Sequence, residues 1–263
     1  MSRLSWGTVG DRYFETGVDH GVLYVDGEDG VAWNGLISVA EAPSGGTTTP
    51  YYLDGVKFLN LVAVEEYAAT IQAFSSPPEF DACDGNASMY DGLFFANQPR
   101  KPFGFSYRTQ VGNDVDGQDH GYKLHLIYNA LAAPTSSNNA TVNASTDPIQ
   151  FSWAITATPI LIGVGYAPTA HLVIDSRLAK AKTLSDIEAV LYGSDTKQPA
   201  LPTLTQVMTI YDGQALTVTI LPDHSYSAEG TSVTLLGNGY PEVFVIDNKR
   251  VTELGKGTLF SVL

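Results

Sequence analysis

The chain has 263 residues, 44% of them hydrophobic, which is enough to bury the core of one large domain or of one domain plus a small module. Acidic residues outnumber basic ones by 28 to 14, and the net charge of −14 excludes a protein that grips nucleic acid through clustered basic side chains. The charge is compatible with a surface that DNA slides past, because like charges repel over about 8 Å at physiological salt.

The N-terminal part of the chain favours strands and contains one long polar stretch. Its first residues lack the apolar core of a signal peptide. Strand patterns cover residues 22–25 and 31–41, and strand character returns over residues 51–53 and 56–62. The Gly, Thr and Pro-rich residues 42–50 predict a long loop between them. A polar loop of this length is commonly a reaching or binding element, and an unstructured excursion is the alternative.

The next segment is broken by prolines before regular structure resumes. Residues 66–74 favour a strand, with a helical start in the Ala-rich part as the alternative, and the two prolines of SSPPEF then interrupt it. The region up to Pro102 predicts an irregular loop with one short helix. It contains Cys83, the only cysteine, which excludes internal disulfides and predicts synthesis in a reducing cytosol.

The clearest pattern in the chain is a β-hairpin over residues 103–133. Phe103, Phe105 and Tyr107 alternate with polar residues, and the same period of two returns over residues 122–129. The acidic turn over residues 113–119 partly resembles a calcium loop, but the order of its carboxylates is not that of an EF-hand. We therefore interpret it as a turn in which Asn, Asp and Gly supply the geometry.

The remaining residues predict strands and one helix and, beyond about residue 199, only short strands divided by Gly, Asn and Asp turns. Residues 136–147 read as a polar linker, and residues 149–155 and 170–174 favour strands. A helix is predicted over residues 184–191, with a capping box between Ser185 and Glu188 and a stop at Gly193. We expect a main domain over 1–199 and a small β module or extended arm over 200–263.

No pattern in the sequence indicates catalysis. The nucleophile elbow, P-loop, Rossmann fingerprint and HExxH motif do not occur. His120 and His125 are an odd number of residues apart, so on one strand they would face opposite sides and share no metal. We therefore expect no catalytic residues, no cofactor and no metal ligands.

Several pieces of the sequence, in order, resemble the major tail tube proteins of long-tailed, siphophage-type bacteriophages, in particular those of actinobacteriophages. The pieces span roughly residues 30–193 and include the hairpin above; the others are VAWNGLISVAEAPSGG, PYYLDGVKFLNL, EEYAATIQAFSSPPEFDACDG and APTAHLVIDS. The resemblance implies a mainly β fold, a β-sandwich or partly closed barrel with one flanking helix. It also implies a structural virion protein whose hexameric rings stack into the conduit for DNA ejection.

The same resemblance supplies candidate residues and partners. It implies an inter-ring loop, for which the candidates are Pro43, Ser44, Gly45, Gly46 and Thr47, and a lumen wall, for which they are Ser106, Arg108, Lys123 and His125. The implied partners are further copies of the chain, the tape measure protein, the tail terminator and tail-tip proteins, with double-stranded DNA passing through transiently and without a membrane contact. The implied location is the phage tail, after synthesis in the bacterial cytoplasm.

Three alternatives stay open at the level of sequence. A glycan-binding β-sandwich would use exposed Tyr and Trp side chains as a platform. A tail terminator would form one ring without stacking. A hydrolase on a β scaffold is disfavoured by the missing motifs.

Overall fold

The computed structural model describes residues 4, 6–135, 139, 141, 148–162 and 166–211, and the backbone of six short strands between residues 219 and 262. The chain divides into two compact units, Met1–Pro202 and Thr203–Leu263. The predicted linker over residues 136–147 lies almost entirely outside the described residues. No helix among the described residues has the length and apolar character needed to cross a membrane.

The first unit is built from antiparallel strands and two short helices. Its helical elements are a 3-10 turn at Pro78–Phe80, α1 (Asp81–Asp84) and α2 (Ala181–Leu191). Its strands are β1 (Phe14–Val25), β2 (Val31–Ala32), β3 (Leu36–Glu41), β4 (Thr48–Leu53), β5 (Val56–Val62), β6 (Tyr67–Ala73), β7 (Ala87–Tyr90), β8 (Leu93–Phe95), β9 (Phe103–Asn113), β10 (Gly117–Ala132), β11 (Phe151–Ala157) and β12 (His171–Asp175).

One eight-stranded sheet forms the body of this unit. Its strands follow the order β2-β1-β9-β10-β11-β6-β3, and β12 pairs with β10 beside β11. The sheet curls so that β1, β6, β9, β10 and β11 contribute to one apolar core. No pairing joins β2 to β3 among the described strands, so the sheet does not close into a barrel. The prediction of a mainly β fold is confirmed.

Aromatic side chains fill the core. Trp33 packs against Phe80, Phe105 and Trp153 with ring centroids 4.8–5.6 Å apart. Cys83 of α1 is fully buried in the same cluster. These contacts explain why the irregular segment after β6 is held in place, since burial of large aromatic side chains contributes strongly to stability.

Helix α2 covers the outer face of the central strands, as the prediction of a flanking helix requires. The Tyr24 hydroxyl donates to the Leu191 carbonyl oxygen at 2.9 Å, and the Tyr122 hydroxyl donates to Glu188 at 2.6 Å. The predicted capping box is wrong, because α2 begins at Ala181 and Ser185 lies inside the helix. The helix ends before Gly193, whose φ of +81° suits glycine.

Other boundaries also differ from the sequence prediction. The strand expected over 31–41 is split into β2 and β3, since Trp33 turns into the core and Gly35 adopts a φ of +84°. The short strand expected at 22–25 is the end of the longer β1. The region before Pro102 contains a hairpin of β7 and β8 that the sequence analysis reads as irregular.

The second unit contains α3 (Leu204–Tyr211), which the sequence analysis did not predict, and short strands. A four-stranded antiparallel sheet joins β15, β16, β17 and β18 in that order, and β13 pairs with β14. The strands are β13 (Thr219–Ile220), β14 (Tyr226–Ser227), β15 (Val233–Leu235), β16 (Val243–Ile246), β17 (Lys249–Glu253) and β18 (Phe260–Val262).

Candidate functional site

A two-stranded ribbon, which we define as residues 42–66, extends from β3 and β6. Its strands β4 and β5 pair antiparallel from Thr48 opposite Val62 to Leu53 opposite Val56. Asp54 and Gly55 connect them, both with positive φ, which is the geometry of a tight primed hairpin turn. The ribbon therefore continues the β3–β6 pairing beyond the sheet.

The five predicted inter-ring residues lie where the ribbon leaves the sheet, at residues 43–47 and the facing residues 64–66, which we call its neck. Backbone hydrogen bonds of 2.9 and 2.8 Å join Ser44 and Glu66 in both directions. Gly45 has a φ of +85°, and a Cβ at this position would lie 2.1 Å from the Val64 carbonyl oxygen. The loop predicted over 42–50 is therefore shorter than expected, ending where β4 begins at Thr48, and it is held by these contacts, while an inter-ring role for Pro43, Ser44, Gly45, Gly46 and Thr47 stays a prediction.

The ribbon exposes large apolar side chains on both of its faces. Every residue of β4 and β5 is exposed, and Phe58 has 68% of its surface accessible. The other exposed large apolar residues of the ribbon are Tyr51, Tyr52, Leu53, Val56, Leu59, Leu61, Val62 and Val64. Contiguous apolar surface of this kind marks an interaction site, because an isolated hairpin has little stability of its own in water.

The β7–β8 hairpin repeats this arrangement on a smaller scale. All of its strand residues are exposed. The large apolar ones are Met89, Tyr90, Leu93, Phe94 and Phe95. The first unit therefore presents two strand pairs whose apolar side chains are left exposed by the described residues.

The four predicted lumen residues fall on two different faces of the sheet. The β9–β10 register places His125 opposite Tyr107 and Leu124 opposite Arg108, so His125 and Arg108 point to opposite sides. Ser106 is buried on the face that α2 covers, where its hydroxyl lies 3.2 Å from that of Tyr24. A lumen wall formed by one face of the sheet would thus hold at most two of these four residues. Their exposure to a lumen stays a prediction.

The two basic residues of this set are paired with acids of β1. Arg108 donates two hydrogen bonds to Asp19, at 2.7 and 2.9 Å, and its guanidinium lies 4.6 Å from the centre of the Tyr122 ring. Lys123 donates to Glu15. The pKa of Asp19 falls to about 2: burial raises it, but the hydrogen bonds from Arg108 and Gln110 and the guanidinium charge outweigh that effect.

The acidic turn between β9 and β10 behaves as a turn. The Asn113 side-chain oxygen accepts the backbone N–H groups of Val115 and Asp116. The carboxylate of Asp114 accepts the backbone N–H of Gly10, and Asp116 contacts His120 at 2.8 Å. These carboxylates have partners of their own and do not converge on a common point.

A histidine–carboxylate cluster lies at the core face of the sheet. Glu41 of β3, His125 of β10 and His171 of β12 bring their ligand atoms within 4.8 Å of one another. His125 Nδ1 lies 3.0 Å from His171 Nε2 and 3.4 Å from Glu41 Oε1. The sequence analysis missed this cluster because its members come from three distant segments; only the curled sheet brings them together.

Comparisons with known proteins leave the family open. No family model matches the chain, and no curated protein matches it. The solved structures that are similar to it include one titled the baseplate of the anti-feeding prophage (TM-score 0.33, 8% identity, 66% of this chain and 100% of the other). Two others belong to the PVC extracellular contractile injection system: its sheath-tube complex (TM-score 0.28, 14%, 65% and 94%) and its sheath/tube terminator (TM-score 0.26, 13%, 65% and 99%).

Proposed function

We propose that this chain is the major tail tube subunit of a long-tailed bacteriophage, a structural protein without catalytic activity. Its rings, hexameric by analogy with the family that the sequence resembles, stack into the conduit through which DNA is ejected. The single observation that carries the proposal is the ribbon, which exposes apolar side chains on both faces. Such a surface in a chain of this size calls for partners on either side of it.

Burial of the ribbon side chains would favour self-association energetically. Full burial of one Phe or Leu side chain contributes about 1.5–3 kcal/mol, so covering only a few of the ribbon side chains would drive association. Contacts between different patches of identical subunits close into rings when the rotation allows it, and stacking extends the rings into a tube. The open ends of the sheet, β2 and β3, would gain cover in the same way.

The charge of the chain agrees with a conduit. A net charge of −14 disfavours adhesion of DNA to the tube, and whichever of Arg108 and Lys123 faces the lumen is already paired with an acid of β1. In this proposal the protein resides in the virion tail after synthesis in the host cytoplasm. The tape measure protein, the tail terminator and the tail-tip proteins are its partners beside further copies of itself.

Electron microscopy of negatively stained, concentrated protein tests the proposal. We expect hollow tubes with a regular stacking repeat, either spontaneously or after addition of a tail-tip complex as initiator. Single rings that never stack would favour the tail terminator. Dispersed monomers under both conditions would contradict a tube subunit.

A variant of the ribbon makes this test specific. The double substitution Phe58→Asp and Leu61→Asp places charges on exposed positions, so it should leave the melting temperature of the subunit unchanged and abolish the tubes. Leu178→Asp is the matched control, because Leu178 is also highly exposed but lies outside the ribbon. Tubes formed equally well by the double variant would show that the ribbon is not the contact.

A further inference from the structure

The geometry points to a binding site for a divalent transition-metal ion, of the class of Zn²⁺, formed by Glu41, His125 and His171. The sequence analysis expected no metal ligands, and the site does not depend on the proposed assembly. Imidazole nitrogen together with a carboxylate oxygen is a donor set that zinc and its neighbours prefer over calcium or magnesium.

The spacing of the three donor atoms fits one ion. Ligand atoms about 2.1 Å from a tetrahedral zinc ion lie ~3.4 Å from one another. Here the pairs His125–His171, His125–Glu41 and His171–Glu41 are separated by 3.0, 3.4 and 3.8 Å, measured between His125 Nδ1, His171 Nε2 and Glu41 Oε1. A single ion can therefore contact all three without a change of backbone position.

Side chains outside the ligand set contact the three ligands and orient them. Thr109 Oγ1 lies 3.1 Å from His125 Nε2, so this nitrogen can carry the proton while Nδ1 turns its lone pair towards the ion. The Tyr107 hydroxyl donates to Glu41, and the Tyr67 ring lies 4.7 Å from that of His171. Such hydrogen bonds from groups outside the ligand set are typical of metal sites, where they fix the orientation of the rings.

The facing ring nitrogens of the two histidines also suit a metal ion, because His125 Nδ1 and His171 Nε2 lie 3.0 Å apart. Without an ion, one proton has to lie between the two facing nitrogens of His125 and His171; a metal that replaces it satisfies both lone pairs.

Three protein ligands leave one position for water. The Glu41 side chain is 36% exposed, so solvent reaches this side of the cluster. The two histidines lie on the adjacent strands β10 and β12, whereas Glu41 ends β3, the last strand in the order of the sheet. The ion would therefore tie β3 to the middle of the sheet, directly before the neck of the ribbon.

The test uses the full chain, stripped of metal with a chelator and titrated with Zn²⁺ or Co²⁺. We expect one molar equivalent of bound metal by elemental analysis, a rise in melting temperature, and the intense visible absorption of four-coordinate Co²⁺. Glu41→Gln and His171→Asn should each lose the stoichiometric uptake. Thr109→Val should weaken binding by about 10–100-fold, as loss of an outer contact does.

His120→Asn is the matched control, since His120 lies near the start of β10, beside the acidic turn, and outside the cluster. It should bind metal like the unchanged protein. If His171→Asn fails to fold, Glu41→Gln tests the site instead. The Glu41 side chain is partly exposed, and Gln has nearly the same shape as Glu. Absence of stoichiometric uptake by the unchanged protein, or uptake that Glu41→Gln and Thr109→Val leave intact, would overturn the proposal.

Discussion

At the scale of single residues, the charged groups of the central strands act in pairs. Asp19 accepts two hydrogen bonds from the guanidinium of Arg108 and a third, of 3.0 Å, from Gln110. Arg108 has only 20% of its side chain exposed, so removal of the acid would leave a largely buried cation without its partner. Leaving a buried charge unpaired lowers the free energy of unfolding by more than the intact ion pair contributes to it.

The first prediction concerns Asp19→Asn. Because the folded-state pKa of Asp19, about 2, is lower than its unfolded value, the carboxylate stabilises the fold above pH ~4, and this contribution is lost as the pH falls from ~4 to ~2. After allowance for solvent screening, we expect the variant to be less stable by about 1 kcal/mol at pH 7, and the difference to shrink over that acidic range.

Urea unfolding followed by tryptophan fluorescence measures this difference, since Trp33 and Trp153 are both buried in the core. Asp186→Asn is the control, because Asp186 pairs with Lys182 on the exposed side of α2 and should contribute little. A difference between Asp19→Asn and the unchanged protein that does not vary with pH would contradict the assigned role of the carboxylate.

At the scale of elements, sequence periodicity succeeds where one face of a strand packs into the apolar core. Phe103, Phe105 and Tyr107 are all buried in β9, as their alternation predicts, and Trp153 and Ile155 are buried in β11. In the ribbon the strands predicted over residues 51–53 and 56–62 are confirmed, but β4 begins three residues earlier, at Thr48. None of the described residues buries either face of β4 or β5, so no alternation of apolar and polar residues marks the two strands as paired with each other.

The neck of the ribbon shows what the sequence could not reveal. Ser44, Gly45 and Gly46 have the composition of a free loop, yet their backbone closes against residues 64–66. The histidine–carboxylate cluster is similar, because no spacing within one segment predicts that Glu41, His125 and His171 meet. Local pattern thus predicts strands and turns, whereas contacts between distant segments depend on how the sheet curls.

The second prediction concerns Gly45→Ala. A methyl group there meets the Val64 carbonyl oxygen, and the left-handed backbone adds strain of about 1–3 kcal/mol. We expect the reciprocal hydrogen bonds between Ser44 and Glu66 to open, which should accelerate hydrogen exchange of both amides by at least about tenfold. Exchange of the core strands β9 and β10 should stay unchanged.

Gly55→Ala is the matched control for the neck. Gly55 also has a positive φ, 77°, but a Cβ at the tip of the ribbon would meet nothing within 4 Å. It should therefore share the backbone strain without the steric clash, and leave the Ser44 and Glu66 amides protected. Equal exchange rates in the two variants would show that the close approach of Gly45 to Val64 does not hold the neck.

At the scale of the whole molecule, the first unit contains the features that the proposed assembly uses. The ribbon, the β7–β8 hairpin and the open ends of the sheet all belong to Met1–Pro202. The sequence resemblance also stops near residue 193, before the second unit. We therefore expect ring formation to be independent of the second unit, for which the two hypotheses are decoration of the outside of the tube and an arm that locks the rings.

The last prediction is that a chain without residues 212–263 still assembles into tubes. The deletion begins after α3, so that this helix, whose Leu204 and Val207 are buried, stays intact. We expect the shortened chain to keep its melting transition and to show tubes of unchanged stacking repeat in the electron microscope. The outer diameter should decrease if the module decorates the tube. Single rings or unstacked subunits from a folded, shortened chain would instead assign the locking role to the module, because the ribbon would then be insufficient to join one ring to the next.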